Sequence, residues 1–465
     1  MSQLAILTDR FPRLKKNILN VVLFLGSVAA VVIILTHKRE LDLVEFAGTV
    51  IVVGLCYLVL YLFLLQFRRE VLRVPRKTFF ILFAIVAFLL ITRLVMSMPT
   101  RNIVFLVPFA VIPVIVRTFY DARLALFILL ITIMLAGFMV PQPFTFILMS
   151  FISGMAAIFT LTNNFRKSRL FFTSLMVILT YMVLYFGICL MQDGGAGSMV
   201  ASDFLLLAGN GLLVLISYPL ILIFEQEFLL VSDTTLLELA DINQPLLRKL
   251  AVEAPGSFQH SLQVANLAEE AARTIGANQH LVRAGALYHD IGKIGNPRYF
   301  IENQVDEISP HDKLDPTESA RLIINHVKGG VVLGKNYKIP APVIDFIRTH
   351  HGTTVVYFFY KKYADQHPGQ TGIEKMFTYL GPKPFSKETA VVMMADAVEA
   401  ASRSIDKFTE ESISELVERI LYIQEQDGQY SDVPMTYKDM SDIKSAFKKR
   451  LTNIYHARIA YPERI

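Results

Sequence analysis

Two hydrophobic patterns divide the chain. Up to Glu225, apolar residues run almost unbroken in eight stretches, at about 18–35, 44–65, 78–97, 103–119, 124–140, 145–161, 170–191 and 204–224. A bilayer core of ~30 Å needs roughly 17–25 helical residues, so the fourth to sixth stretches are barely long enough to cross it and the others comfortably so. The first stretch is long for a signal peptide and lacks a clear small-x-small cleavage site, so it counts as a span.

Beyond Glu225 the pattern changes to that of amphipathic helices, and no alternating apolar run is long enough for a sheet. Ser257 is expected to cap a helix through His260 to about Ile275, stopped by Gly276. Asp315-Pro316-Thr317-Glu318 launches a helix carrying His326, with an N-cap carboxylate and proline at the first helical position. Pro340 to His351 forms another, ended by Gly352, and Ser386 opens one through Asp396. Residues 361–385, with their Gly and Pro, read as a loop. The expected fold is all-α: an N-terminal segment and first span (1–43), a seven-helix transmembrane block (44–225), a linker helix (226–250) and a cytoplasmic helical bundle (251–465).

Composition supports this division. Of 465 residues 53% are hydrophobic and 18% charged, with mean hydropathy +0.46, too apolar for one soluble enzyme. Residues 1–225 hold 18 Lys/Arg against 9 Asp/Glu and the rest 27 against 31, splitting the net +5 into +9 and −4. A net-acidic second half argues against a nucleic-acid polymer as partner, which would need clustered cations. Cys56 and Cys189 lie inside apolar runs with no Cys or His at metal spacing around them, implying neither a disulfide nor a thiolate site.

Loop charges set the orientation. With the N-terminus inside, cytoplasmic segments carry fourteen Lys/Arg, among them Arg68, Arg69, Lys77, Arg117 and Arg166, and outer loops carry three, Lys38, Arg39 and Arg101. That bias puts both termini in the cytoplasm. Arg93, near the outer end of the third run, reads as a side chain snorkelling to the headgroups. No run carries a series of intramembrane carboxylates, so a transporter is disfavoured.

Histidine is concentrated where the periodicity changes. Nine of ten histidines lie beyond Glu225. His260, the pair His289-Asp290, His326, His350 with His351, and Asp396 each fall on or at the end of an expected helix. Imidazole with carboxylate and no thiolate suits an open hydrolytic centre of iron, manganese or zinc. Asp396 sits in Met-Met-Ala-Asp-Ala-Val, and a carboxylate buried there is costly unless paired or bound to a metal. His280, His311, His367 and His456 read as ordinary surface or helix-end residues.

The order His, His-Asp, His, His-His, Asp on successive helices resembles the HD phosphohydrolase superfamily in a two-metal form. Closer still, Glu238-Leu-Ala-Asp241, Glu253-Ala-Pro-Gly-Ser257, His260-Ser-Leu, Tyr288-His-Asp-Ile-Gly-Lys293, Phe300-Ile-Glu-Asn-Gln304, Pro310-His-Asp312, His350-His-Gly-Thr353 and Gly381-Pro-Lys-Pro384 resemble the seven-transmembrane HD receptors of bacteria, whose HD domain hydrolyses cyclic di-AMP. The resemblance covers about residues 45–465. Where that family carries an extracytoplasmic domain, this chain has only the eight residues at about 36–43, which leaves the family's sensory input without its usual domain.

The resemblance implies a multi-pass protein of the bacterial inner membrane that converts cyclic di-AMP to linear 5'-pApA with two divalent ions, Mn²⁺ or Fe²⁺. It implies His260, His289, Asp290 and Asp396 at one ion, His326, His350 and His351 at the other, and Asp290 as the bridge. Two cations ~3.5–4 Å apart can share a hydroxide acidic enough to attack phosphorus at neutral pH. Helix neighbours point about 100° apart, which leaves open whether His350 and His351 both ligate or one contacts phosphate. Lys293 is the candidate point charge for a non-bridging phosphoryl oxygen. Another nucleotide such as cyclic di-GMP, a nucleotide receptor without turnover, and a homo-oligomeric assembly all stay open; the complete ligand set disfavours the receptor.

Overall fold

Long apolar runs without polar partners can satisfy their own backbone in a bilayer only as helices, and helices occupy all eight positions. The computed structural model describes residues 2–37, 42–99, 102–161, 167–193, 199–228, 230–304, 309–405 and 407–456. Lys38, Arg39, Arg101 and Arg166, counted above among the loop charges, lie outside them, as does half of the 36–43 interval. The chain divides into two compact units, Met1–Thr234 and Thr235–Ile465.

The first unit contains α1 (Ser2–Thr36), α2 (Leu43–Phe67), α3 (Arg69–Arg73), α4 (Pro75–Met96), α5 (Val111–Phe119), α6 (Ala122–Gly137), α7 (Pro143–Thr160), α8 (Lys167–Asp193), α9 (Ala201–Leu213) and α10 (Ser217–Phe228). Among the described residues six stretches are long and apolar enough to cross a membrane, α9 and α10 counting as one; Ile103–Phe119 and Ala122–Gly137 are shorter. The fourth expected run is broken: a 3-10 turn at Ile103–Leu106 precedes α5. Pro108 lies in the break, where its missing N–H and fixed ring oppose helical continuation. The Asn210 amide donates to the carbonyls of Phe105 and Val107, each at 2.8 Å, and Val107 O also accepts from Phe109 N at 2.9 Å, so backbone freed by the break stays satisfied.

Small residues set the packing of α7, whose buried face includes Ser150, Ser153, Gly154 and Ala157. A Cβ at Gly154 would lie 2.2 Å from Leu129 Cδ2, so glycine is what lets α6 and α7 approach so closely. Asp203, at the start of the last run, is buried and accepts from Tyr185 Oη at 2.7 Å and Asn102 Nδ2 at 2.9 Å.

The second unit comprises α11 (Asp233–Leu239), α12 (Pro245–Glu253), α13 (Pro255–Thr274), α14 (Gln279–Tyr288), α15 (Pro316–Asn336), α16 (Ala341–Thr349), α17 (Tyr357–Gln366), α18 (Lys387–Ser402), α19 (Glu410–Gln426) and α20 (Tyr437–His456). Among the described residues there is no strand, only an isolated bridge between Val355 and Thr378. Helix α13 is central and packs on α14, α18 and α20 through Val264, Leu267, Ala268 and Ala271. Fully burying a Val or Leu side chain contributes about 1.5–3 kcal/mol. The caps at Asp315 and Ser386 form as expected, Asp315 accepting from Thr317 N and Ser386 from Thr389 N.

The linker expected at 226–250 is not one helix but the end of α10, α11 and most of α12, and two further expectations change. Helix α13 starts at Pro255 with Ala254 as N-cap, because proline supplies a ready φ and needs no donor there. Ser257 is therefore already inside the first turn, free to bond elsewhere. Residues 361–385 are not one loop: α17 runs to Gln366 and a 3-10 turn spans Ile373–Phe377. Phe359 and Phe377 pack with Ala320 of α15, an apolar anchor that Gly and Pro content concealed.

Candidate metal centre

The site forms where several helix ends meet. His260 is on α13, His289 is the C-cap of α14 and Asp290 follows it, His326 is on α15, His350 caps α16 with His351 next to it, and Asp396 is on α18. Sequence spacing alone spreads these residues over 136 positions; the structure brings all seven together. Asp290 lies at the centre, and its two oxygens face different partners. Oδ2 is 3.2 Å from His289 Nε2 and 3.7 Å from His260 Nε2. Asp396 Oδ1 closes that group, 2.9 Å from His260 Nε2 and 3.6 Å from His289 Nε2. Oδ1 of Asp290 is instead 3.4 Å from His326 Nε2 and 3.6 Å from His350 Nε2, which are 3.2 Å apart. His351, with His326 and His350, has ligand atoms within 4.8 Å of one another.

The outer ring nitrogens explain this convergence. Nδ1 of His289 lies 2.6 Å from Ala286 O, Nδ1 of His326 2.5 Å from Ile323 O, and Nδ1 of His350 3.0 Å from Ile347 O, each three residues back. A carbonyl can only accept, so these tethers put the proton on Nδ1 and turn the Nε2 lone pair inward. His260 Nδ1 is held by Glu399 Oε2.

The donor set fits divalent cations on this chain's own geometry. His289 Nε2 and Asp290 Oδ1, on the two sides of the cluster, are buried with no hydrogen-bond partner, a costly state that a cation on each side would relieve. Burial, reinforced by neighbouring histidines, pushes the His350 imidazole well below its ordinary pKa, and burial brings His351 down to about 3. Both therefore stay in the neutral, ligating form. Burial also pushes the Asp290 carboxyl up, but His289, which Asp290 and Asp396 raise to about 10 against burial and whose Nε2 proton a bound cation would displace, outweighs it together with the Lys293 ammonium and holds the group well below the usual range. Asp396 likewise stays ionised against burial, through its hydrogen bond with His260 and the nearby His289 imidazole.

Lys293 is not a free point charge. Its Nζ lies 2.8 Å from Asp290 Oδ2 and 2.7 Å from Glu302 Oε1. Burial would strip the proton, but these two carboxylates raise the amine above its ordinary value and keep it an ammonium. Ser257 Oγ donates to the same Glu302 at 2.7 Å and accepts from Asn303 Nδ2 at 2.8 Å. Glu302, Glu399 and Tyr379, stacked 4.2 Å from His351, were missed in the sequence reading. For Glu399 a signal existed, since it lies one turn beyond Asp396. His311, expected at the surface, is buried, with Nε2 2.9 Å from Tyr299 O and its ring against Phe359. A cavity of about 330 Å³ opens beside the cluster, lined by His260, Lys293, His350, His351, Asp396 and Arg403.

Residues 43–232 match the family described as 7TM receptor with intracellular HD hydrolase, and residues 257–401 the HD domain. The chain is 35% identical over 431 residues to the cyclic-di-AMP phosphodiesterase PgpH of Bacillus subtilis (strain 168), covering 90% of this chain and 60% of that one. It is 36% identical over 367 residues to the Listeria monocytogenes protein of the same name, covering 78% of this chain and 51% of that one. The chain thus spans between half and three fifths of the length of these relatives. A crystal structure of the L. monocytogenes PgpH HD domain in complex with cyclic-di-AMP is 42% identical, covering 46% of this chain and 99% of that one, with a TM-score of 0.45.

Proposed function

The chain belongs to the family of seven-transmembrane receptors with an intracellular HD hydrolase, and from that premise we propose that it is a metal-dependent phosphodiesterase opening cyclic di-AMP to linear 5'-pApA. The observation that carries this reading is the Asp290 carboxylate, each of whose oxygens faces a separate histidine set, as a carboxylate shared by two cations requires. His260, His289, Asp290 and Asp396 would hold one ion, and Asp290, His326, His350 and His351 the other. The nitrogen and oxygen donors suit iron, manganese or zinc, and the family resemblance makes Mn²⁺ or Fe²⁺ the reading. When bound, such ions acidify water and offset charge on phosphoryl oxygens. The chain's own part is to keep five imidazoles aimed inward, hold Asp290 ionised through Lys293, and offer a cavity for the nucleotide. The substrate's bases follow from the names of the relatives.

The test uses the full chain in detergent with Mn²⁺ and a panel of cyclic di-AMP, cyclic di-GMP and pApA. Turnover of cyclic di-AMP with pApA accumulating is expected. Preference for cyclic di-GMP, or binding without turnover, would replace this reading by one of the other two. Protein never exposed to chelator should carry close to two transition-metal ions per chain by elemental analysis, and one or none would refute the shared-carboxylate arrangement.

This multi-pass membrane protein is read as lying in the bacterial inner membrane with both termini cytoplasmic, the membrane block at 44–225, a linker at 226–250 and the catalytic domain from 251. The loop charges support that orientation. Reporter fusions after Lys77 and after Gly194 should register inside and outside respectively. The reverse pattern would overturn it.

A further inference from the structure

Helix α18 carries more than a metal ligand. Asp396, Glu399 and Arg403 lie at i, i+3 and i+7, one stripe of that helix. Glu399 is buried, and its two oxygens serve different partners: Oε2 holds His260 Nδ1, while Oε1 accepts from Arg403 Nε at 3.0 Å and Nη2 at 2.8 Å. Arg403 lines the metal cavity with Ala397 and Ala400, whose small side chains leave room beside it. Its Nη1 donors stand outside the pair with Glu399. Seven residues along a helix is about 10 Å, so Arg403 is placed for an anionic group other than one held at Asp396. A cyclic dinucleotide has two phosphodiesters.

Resting on the phosphodiesterase reading above, we propose that Glu399 is a positioning residue that fixes both His260 and Arg403, and that Arg403 anchors the phosphodiester that is not being cleaved. A guanidinium is suited to this because it offers several donors in a fixed plane to phosphate oxygens. Holding one phosphodiester fixes the position of its equivalent partner over the histidines. The competing account is an ordinary i,i+4 ion pair, which would only stabilise the helix slightly.

Steady-state kinetics of the full Mn²⁺-loaded chain in detergent separate the two. Arg403→Ala should raise KM for cyclic di-AMP about 10- to 100-fold, with kcat and metal content close to wild type. It should leave KM for bis(p-nitrophenyl) phosphate, which has a single phosphodiester, unchanged. Glu399→Gln should raise the cyclic di-AMP KM similarly and also weaken Mn²⁺ binding about 10- to 100-fold in a direct titration, a change that loss of an ion pair alone would not produce. An unchanged cyclic di-AMP KM in Arg403→Ala, or an equal rise with both substrates, overturns the anchor. Wild-type Mn²⁺ affinity in Glu399→Gln overturns the positioning role. If the wild-type chain turns over bis(p-nitrophenyl) phosphate but not cyclic di-AMP, the substrate assignment fails and the anchor with it, and the Mn²⁺ titration still decides the role of Glu399.

Discussion

Asp290→Asn should lower the rate of cyclic di-AMP hydrolysis by more than about a thousandfold, a barrier increase of about 4 kcal/mol. Lys293→Ala should cost only roughly 10- to 100-fold, the scale for losing the partner of a metal ligand. The asymmetry follows from position. Both Asp290 oxygens are used, one toward His289 and His260 and the other toward His326 and His350. Whichever becomes an amide nitrogen points a donor at one ligand set, and the other oxygen loses its formal charge. Lys293 touches the cluster only through Asp290 Oδ2 and Glu302. Its loss leaves Glu302 a buried carboxylate short of its cation but keeps every candidate ligand. Rates should be measured in excess Mn²⁺ with helix content checked by circular dichroism. If Asp290→Asn keeps a tenth or more of wild-type activity, a difference of only about 1.4 kcal/mol, Asp290 is not shared.

What could be read in the sequence was whatever repeats locally. A membrane helix announces itself by unbroken apolarity, and the Asp315 and Ser386 caps act within three residues. The histidines stood out because five of them, with two aspartates, fell on or at the ends of expected helices. What stayed hidden depends on contacts distant in sequence. Glu302 matters through Lys293 and Ser257, 9 and 45 residues away, and Glu399 through His260, 139 away. Glu399 at least lies one turn beyond Asp396, but its partner His260 shows only after folding, and Glu302 has no such neighbour on a helix. Lys293 was expected to meet phosphate because its neutralising partner Glu302 is visible only after folding.

The break in the fourth membrane run is a similar case. Pro108 makes an interruption intelligible, yet a proline alone does not say whether the helix kinks or stops. Asn210, over a hundred residues on, supplies donors for the Phe105 and Val107 carbonyls that a stopped helix frees. Without such a partner, open backbone among apolar helices would cost several kcal/mol per group. The local signal permits the break, and the distant amide makes it affordable.

Gly292 shows the same dependence at the active cluster, and its substitution should disable the protein through backbone alone. It lies in the 3-10 turn Ile291–Gly295, two residues after Asp290. A Cβ there would sit 1.8 Å from the His326 carbonyl oxygen and 2.6 Å from Gly330 N, both main-chain atoms of α15 that no side-chain rotation can clear. In Gly292→Ala, α15 must retreat from the turn, and His326 would move from Asp290 Oδ1, now 3.4 Å away. Overpacking of this kind costs roughly 1–3 kcal/mol. A displacement near 1 Å costs on the order of 100-fold in rate. The expected result is a lower Tm, loss of metal from the set containing His326, and activity down by about 100-fold or more. Gly295→Ala is the control, in the same turn but with nothing within 4 Å of its Cβ, and it should match wild type in all three. Wild-type metal content and rate in Gly292→Ala would mean that the close approach of this turn to α15 does not hold His326 in place.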